Sequence, residues 1–314
     1  MFVVLFTLTV VYLIAASVAL PEDDWGGEKT FRKYGGSWVQ VFADGSTQPR
    51  EVPGHCDSSR GQTVVIQSVI PEDIDKDTYL VFRSAKQNMN IYIGDTLVRS
   101  FSTDDTRWFG TAGAVVYVFV EVSPEDVGKT LRVESCSNTS YSGYFYTVYE
   151  GSQMEVWSMF IRMYGAELLV AFLVIAFSVV TIIASIVLRV FYHSEMDLLF
   201  LGFGILLAGG WIVANSVLRQ LIFANMSVVN DMAFLMIMLL PLPYLFYLNQ
   251  IQKYRYGVFY AVSEIIAVSV FVVCVVLHMT GAVDYATTNT NADIIYEIII
   301  FSMIVTLFVD WKRK

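Results

Sequence analysis

The sequence predicts a multi-domain membrane protein: an all-β ectodomain of the jelly-roll or sandwich type, followed by an all-α bundle of transmembrane helices. Hydrophobic residues make up 55% and charged residues 16% of the 314 residues, against about 45–50% and 25% in an average soluble protein. The charges are concentrated in residues 21–160, which hold 12 Lys/Arg and 20 Asp/Glu, a net charge of −8. Near residue 162 the pattern changes from short alternating runs to long apolar segments, which separates the two modules.

The first 20 residues predict an export segment. Residues 2–20, "FVVLFTLTVVYLIAASVAL", carry no charge and are followed by "PEDD". Small residues at Ala16, Ser17 and Ala19 favour a signal peptide, although the basic stretch that usually precedes the apolar region is missing. A cleaved signal peptide and an uncleaved N-terminal anchor both remain open, and either one exports the chain that follows.

Residues 21–160 are predicted to form an extracytoplasmic β-sandwich that binds a ligand. Short runs rich in β-branched and aromatic residues alternate with turn material such as "ADGS" and "SPEDVGK". Val116, Val118, Val120 and Val122 point to one face of a strand, and the residues between them point to the other. Many short strands without a convincing helix indicate an antiparallel sandwich or jelly roll.

Residues 161–314 are predicted to form a bundle of five transmembrane helices, because each apolar segment is 18–25 residues long and can cross about 30 Å of hydrocarbon. Six Lys/Arg residues follow the first, third and fifth segments, whereas the loops on the other side hold only Arg219. The positive-inside rule then predicts a multi-pass bacterial plasma-membrane protein with residues 21–160 outside and a cytoplasmic C-terminus. The five segments are about 164–188, 198–217, 231–248, 257–279 and 292–309.

Composition also argues against several classes of function. The acidic ectodomain disfavours nucleic acid as a partner, since nucleic acid requires a cationic surface. No nucleotide-binding, hydrolase or kinase motif occurs, and the three histidines form no cluster, so we expect no catalytic residues, no metal and no cofactor. Cys56 and Cys136 lie in the ectodomain and could either form a disulfide or remain free thiols.

Two stretches of the ectodomain supply candidate ligand contacts. "FRSAKQNMNIYIGD" places Arg83 and Gln87 before a strongly predicted strand, and "STDDTRWFGTAG" is a polar loop with Arg107, Trp108 and Phe109. Aromatic faces beside charged and amide groups suit a small polar ligand such as a carbohydrate. The alternative is that the arginines are solvated on the surface and that the loop tryptophan covers the core.

The second apolar segment, "LFLGFGILLAGGWIVANSVLRQLIF", carries polar residues at helical spacing. Trp211, Asn215 and Arg219 recur every four residues, which predicts that they share one helix face. Interfacial anchoring and helix–helix contact explain such a stripe, and so does a role in relaying a signal. The glycines of "GFGILLAGG" predict close helix approach.

Two further features lie inside predicted spans. Glu264 is a carboxyl group in the fourth span, where it either faces the bundle or snorkels towards the membrane surface. Pro241 and Pro243 interrupt backbone hydrogen bonding in the third span and predict a kink, which acts as a hinge or only sets the shape of the helix.

Four stretches together resemble bacterial seven-transmembrane receptors with diverse intracellular signalling modules, and within them the branch that ends in a GGDEF diguanylate cyclase domain. They are "YLVFRSAKQNMNIYIGDTLV", "LRVESCSNTSYSGYFYTVYEGS", "LFLGFGILLAGGWIVANSVLRQLIF" and "MAFLMIMLLPLPYLFYLNQI". The resemblance covers about residues 35–310. It implies a jelly-roll, carbohydrate-binding-like ectodomain and a helical bundle that relays ligand binding to a cytoplasmic module.

The sequence departs from this family pattern, because it contains five predicted spans after the ectodomain and no GGDEF-like string. The expectation is therefore a transmembrane receptor for a small extracellular ligand, embedded in the lipid bilayer and without enzymatic activity of its own. The first alternative is the N-terminal part of a membrane-bound diguanylate cyclase whose signalling domain is missing. The second is a transporter or channel subunit. The sequence also allows a homo-oligomer.

Overall fold

The computed structural model describes residues 11, 12, 15, 32–102, 104, 107, 113–192, 198–283 and 285–313. The chain divides into two compact units, Met1–Thr30 and Phe31–Lys314. Apart from three residues, the predicted export segment lies outside the described residues. The second unit contains a sheet region followed by a helical region, as the sequence predicts.

The sheet region is a β-sandwich in which all strand pairs are antiparallel. A four-stranded sheet has the order β1-β12-β6-β9, a six-stranded sheet has the order β3-β2-β5-β10-β7-β8, and β11 pairs with β4. The strands are β1 (Arg32–Lys33), β2 (Trp38–Val41), β3 (Thr47–Arg50), β4 (Gly54–His55), β5 (Thr63–Val69), β6 (Thr78–Ala85), β7 (Asn88–Ile93), β8 (Thr96–Phe101), β9 (Val115–Val122), β10 (Thr130–Cys136), β11 (Tyr144–Phe145) and β12 (Tyr149–Gly151).

One apolar core lies between the two larger sheets. The four valines of β9 at positions 116, 118, 120 and 122 are all buried in it, which confirms the predicted alternation. Leu80 and Phe82 contribute from β6, and Ile91 and Leu131 contribute from the opposite sheet. The burial of alternate residues from both sheets is what makes the two layers a sandwich.

Seven helices follow within the described residues. They are α1 (Gln153–Tyr192), α2 (Leu199–Asn215), α3 (Arg219–Ile222), α4 (Met226–Leu239), α5 (Pro241–Ile251), α6 (Gly257–Met279) and α7 (Tyr285–Arg313). Four helical segments of the described chain are long and apolar enough to cross a membrane: Gln153–Tyr192, Met226–Ile251, Gly257–Met279 and Thr287–Lys312. The protein is therefore a multi-pass membrane protein.

The second predicted span, about 198–217, differs from the other four in its length. It is apolar, but α2 has only 17 residues and ends at Asn215, so at about 1.5 Å per residue it extends roughly 26 Å. The helix is therefore three residues shorter than the predicted segment 198–217, and it is shorter than the four long segments. A membrane crossing by α2 stays a prediction.

The sandwich continues directly into the helices through a capped helix start. Ser152 follows β12 and precedes α1, and the Glu155 amide donates to Ser152 Oγ at 3.3 Å. In return, the Ser152 amide donates to Glu155 Oε2 at 2.8 Å. This reciprocal pair is a capping box, which satisfies two backbone donors at the helix end and fixes the angle at which the chain leaves the sheet.

Glycines bring α1 and α2 close together, as their pattern predicts. A Cβ added at Gly202 would lie 2.6 Å from Ile182 Cγ1 and 3.3 Å from the Ile182 backbone nitrogen. Ser178 Oγ donates to the Gly202 carbonyl oxygen at 3.0 Å, a bond between the two helices. Small residues with a polar bond across the contact are a common way to hold helices together in lipid, where the hydrophobic effect does not act.

We expect Gly202→Leu to destabilise the helical region, because the new side chain would overlap Ile182. Overpacking of a close contact costs about 1–3 kcal/mol. Gly165→Leu is the matched control, since a Cβ there meets only Ile161 of the preceding turn at 3.6 Å. Thermal unfolding of the full chain in lipid nanodiscs should show a lower Tm for Gly202→Leu alone; equal Tm values for the two variants would contradict close packing at Gly202.

The third span is interrupted where the prolines occur. Helix α4 ends at Leu239 and α5 begins at Pro241. The Leu240 amide bonds to the Ile237 carbonyl oxygen at 3.3 Å, one residue closer than in an α-helix. Pro241 has no amide hydrogen to continue the helical ladder. A hinge motion at this interruption stays a prediction.

The three cysteines are free thiols. Cys56 and Cys274 are buried, and Cys136 is half-buried, with its Sγ 3.4 Å from the Gly61 carbonyl oxygen. The Cys56–Cys136 disulfide, one of the two alternatives left open by the sequence, is not formed in the structure. Cys136 instead belongs to β10, where it pairs with neighbouring strands on both sides.

Candidate functional site

Polar side chains join the sandwich to the helices. We call residues 216–225, which connect α2 to α4, the junction loop. The predicted stripe of Trp211, Asn215 and Arg219 on one helix face is wrong, because α2 ends at Asn215 and Ser216 adopts an extended conformation with ψ 146°. Arg219 therefore lies on the short helix α3, outside α2.

The Arg219 side chain connects α2 to the sandwich. It is buried, and its guanidinium group donates through Nη1 to the Ala214 carbonyl oxygen and through Nη2 to the Val115 carbonyl oxygen at 3.1 Å. Burial lowers the pKa of this guanidinium from its ordinary value, although an arginine remains charged in a protein. A positive charge near the carbonyl end of α2 is also favoured by the helix dipole.

Gln220 binds the open edge of the four-stranded sheet. Its side-chain Oε1 accepts from the Tyr117 amide at 2.9 Å, and its Nε2 donates to the Tyr117 carbonyl oxygen at 2.8 Å. Strand β9 is the edge strand of that sheet, so these backbone groups have no neighbouring strand among the described residues to pair with. The Gln220 amide takes the place of a peptide group of such a strand and covers part of the exposed edge.

An aromatic cluster fills the space beside these polar contacts. Phe119 of β9 stacks on Trp157 of α1 with ring centroids 5.2 Å apart, and Tyr117 packs against Phe160 at 4.5 Å. Leu218 of the junction loop is buried in the same cluster. Because aromatic pairs of this kind add to the free energy of apolar burial, the outer face of the four-stranded sheet is attached to α1.

A second polar contact joins the β6–β7 turn to the helices. The ammonium group of the buried Lys86 lies 4.8 Å from the centroid of the Phe234 ring on α4. Contacts among the helices themselves include His278 Nε2, which lies 3.6 Å from Asp231 Oδ1, and the His278 ring, which stacks on Tyr285 with centroids 3.7 Å apart. The sandwich is thus held to the helices at several separate places.

A cavity of about 520 Å³, which we call the junction cavity, opens between the sandwich and the junction loop. Its volume falls in the range of small-molecule sites, about 300–1,000 Å³. Arg99, Ser100 and Gln220 supply polar groups, and Phe101 and Phe223 supply aromatic surface. The remaining lining residues are Val98, Val116, Tyr117, Val118, Ala224 and Met226.

The two ligand candidates in "FRSAKQNMNIYIGD" do not line this cavity. Arg83 is half-buried on β6, with its guanidinium carbon 4.5 Å from the Tyr146 ring centroid. Gln87 is buried, and its side chain bonds to the Tyr141 and Tyr144 carbonyl oxygens and to the Ser135 hydroxyl. Gln87 therefore uses its polar groups inside the sandwich, where it holds the 141–144 segment.

The other candidate residues from the sequence also lie at separate places in the structure. Arg107 pairs with Asp104 at 2.8 Å, while Trp108 and Phe109 lie outside the described residues. Trp211 is half-buried against the sandwich core, whereas Asn215 is exposed at the end of α2. Asn215 is therefore not buried in a helix–helix contact, and a relay role for this residue stays a prediction.

Glu264 lies on α6 and is half-buried. Its Oε1 is enclosed and has no hydrogen-bond partner among the described residues. This position agrees with a carboxyl group that faces other helices, although its role in a relay stays a prediction.

Sequence reasoning missed several residues of the junction and the helical region. Gln220 could not be identified from the sequence, because a single glutamine beside an apolar run carries no pattern. The start of α4 does carry a sequence signal, the capping residue Asn225, whose Oδ1 accepts from the Val228 amide at 3.1 Å. Asp293 and Glu297 were also missed, although two acids four residues apart inside an apolar segment are an unusual sequence feature.

Comparison of the chain with models of known protein families and with curated proteins finds no match.

Proposed function

We propose that the protein is a transmembrane receptor whose sandwich binds a small polar ligand, such as a carbohydrate, outside the cell. The ligand would occupy the junction cavity, and its binding would change the arrangement of the helices. The observation that carries this proposal is that Gln220 both lines the cavity and bonds to the Tyr117 backbone. A ligand that touches this residue acts on the sheet edge and on the junction loop together.

The mechanism requires that the ligand bind two arrangements of the junction with different affinity. Arg219 connects the same loop to α2 and β9, so a shift of the loop would move both elements. With α2 counted as a crossing, the six basic residues that follow the first, third and fifth apolar segments in the sequence support an extracytoplasmic sandwich and a cytoplasmic C-terminus. A plasma-membrane location belongs to this proposal.

The resemblance to seven-transmembrane receptors with intracellular signalling modules supports the same class of function. The order of a sandwich followed by apolar helices agrees with that resemblance. In such receptors a cytoplasmic module produces the response, and we propose that a partner of this kind, a diguanylate cyclase module for example, acts together with this chain.

Substitution of Ala224 by tryptophan tests the ligand site, because the larger side chain would enter the junction cavity. The full chain in nanodiscs is titrated with a panel of neutral mono- and disaccharides, and the Tm is measured. At least one sugar should raise the Tm of the wild-type protein, and the same sugar should give at least tenfold weaker stabilisation in Ala224→Trp.

Leu221→Trp is the matched control. Leu221 belongs to the same loop and is 51% exposed, but it does not line the cavity. The control should keep the full response to the sugar. If no sugar of the panel shifts the Tm of the wild type, the carbohydrate proposal is contradicted. If Ala224→Trp responds to the sugar as the wild type does, the sugar does not bind in the junction cavity.

A further inference from the structure

A second cavity lies among the membrane-spanning helices, at the interruption between α4 and α5. It has a volume of about 320 Å³, and its wall includes Ile237, Leu240 and Pro241 from the interrupted span. Helix α7 supplies the opposite wall through Asp293, Tyr296 and Glu297. None of these residues belongs to the junction cavity, so this intramembrane cavity is a separate feature.

The carboxyl groups of Asp293 and Glu297 lie in the first half of the membrane-spanning segment of α7. They are four residues apart on α7 and therefore on one face of the helix. Counted from the beginning of the span at Thr287, they lie roughly 9 Å and 15 Å along the helix at about 1.5 Å per residue. A carboxylate within a membrane-spanning segment is costly unless a polar or cationic partner compensates it.

The two carboxyl groups of this cavity have no cationic side chain beside them among the described lining residues. Asp293 Oδ2 accepts one bond, from Asn289 Nδ2 at 2.8 Å. The described lining residues include no lysine, arginine or histidine. The half-buried Asp293 and the exposed Glu297 therefore have no positively charged counterpart among the described residues that line the cavity.

Tyr296 gives an independent indication of a ligand. Its side chain lines the cavity and the residue is only 5% exposed, yet its hydroxyl group has no hydrogen-bond partner among the described residues. A buried hydroxyl left without a partner is energetically unfavourable. A polar group that enters the cavity would satisfy this hydroxyl together with the two carboxylates.

The residues that line the cavity favour an organic cation over a metal ion. Calcium takes six to eight oxygen ligands and magnesium requires near-ideal octahedral geometry. Among the described residues no group of three His, Cys, Asp or Glu side chains could hold a metal ion. Apolar side chains and the two tyrosines, Tyr244 and Tyr296, form most of the wall, which suits a cation with an apolar body because aromatic rings attract ammonium groups.

We propose that the intramembrane cavity binds a small organic ammonium ion. Its ammonium group would lie between Asp293 and Glu297 and donate to the Tyr296 hydroxyl oxygen, while its apolar part would pack against Ile237 and Leu240. Binding of such an ion beside the interruption at Pro241 joins α7 to both halves of the interrupted span. This activity is independent of a sugar ligand in the junction cavity.

Equilibrium dialysis with radiolabelled phenethylamine, which is protonated at neutral pH, tests the proposal on the full chain in nanodiscs. We expect saturable binding, a Kd at least tenfold higher for Glu297→Gln and Asp293→Asn, and a several-fold higher Kd for Tyr296→Phe. The uncharged analogue phenethyl alcohol should not compete. Glu264→Gln is the matched control, since Glu264 is an acid within a span that does not line the cavity, and its Kd should equal that of the wild type.

Three results would overturn the proposal: no saturable binding to the wild type, equal Kd values in all variants, or competition by the alcohol. Circular dichroism and size-exclusion chromatography check that each variant is folded, and Glu297→Asp, which keeps the charge, should retain binding within several-fold. A concentration-dependent dimer that Glu297→Gln abolishes, without amine binding, would assign the carboxylates to a contact between two copies and would also overturn it.

Discussion

Arg219→Leu is expected to destabilise the protein more than removal of any exposed arginine. The substitution leaves the Ala214 and Val115 carbonyl oxygens without their guanidinium donors. A buried acceptor that loses its partner costs about 1–3 kcal/mol, so we expect a loss of about 3 kcal/mol in the free energy of unfolding. In thermal unfolding this corresponds to a Tm lowered by roughly 6–12 °C.

Arg60→Leu is the control for this prediction, because Arg60 is exposed on the sandwich. The Tm of Arg219→Lys should lie between those of Arg219→Leu and Arg60→Leu, since one ammonium group cannot donate in the bidentate geometry of a guanidinium. If Arg219→Leu and Arg60→Leu unfold at the same temperature in the same nanodiscs, Arg219 does not hold the sandwich to the helices.

Gly143→Ala is expected to disrupt the end of the sandwich where β4 and β11 pair. Gly143 has a φ of +76°, and a Cβ there would lie 2.0 Å from the Cys56 carbonyl oxygen, a backbone atom. The left-handed conformation alone costs an alanine about 1–2 kcal/mol, and the clash forces the backbone to move at a further cost of about 1–3 kcal/mol. Site-resolved labelling of the neighbouring Cys56 thiol provides the measurement.

The Cys56 thiol should react slowly in the wild type and faster in Gly143→Ala. The residue is 3% exposed, and burial raises the pKa of its thiol, so little of the reactive thiolate is present at neutral pH. Gly94→Ala is the control, because Gly94 also has a positive φ of +59° but has open space around it. Equal labelling of Cys56 in Gly143→Ala and Gly94→Ala would show that the close approach at Gly143 is unimportant.

The sandwich and the apolar helices could be predicted from the sequence because both leave a periodic pattern. The valines of β9 alternate in and out of one core, and the period changes where the helical region begins. The glycines of the second apolar segment likewise indicated close packing, which Gly202 and Ile182 show. The sequence patterns that indicate these features extend over only a few residues, so a sequence is sufficient to find them.

The junction could not be predicted because its contacts join residues far apart in the chain. Nothing near Asn215 marks the end of α2, since neither glycine nor proline follows it and the apolar pattern continues to Phe223. Arg219 fits a helical stripe by spacing, yet its partner Val115 is 104 residues away. The preference of a buried guanidinium for those backbone carbonyls overrides the local pattern.

Hydrogen exchange at the Tyr117 amide is the most direct test of the claim that the sandwich and the helices are coupled through the junction loop. This amide donates to Gln220 Oε1, whereas its neighbour Val118 lies opposite Phe82 within the sheet. Exchange is measured at residue resolution on the full chain in nanodiscs. In Gln220→Ala the account predicts at least tenfold faster exchange at Tyr117 and an unchanged rate at Val118. Unchanged exchange at Tyr117 would contradict the coupling.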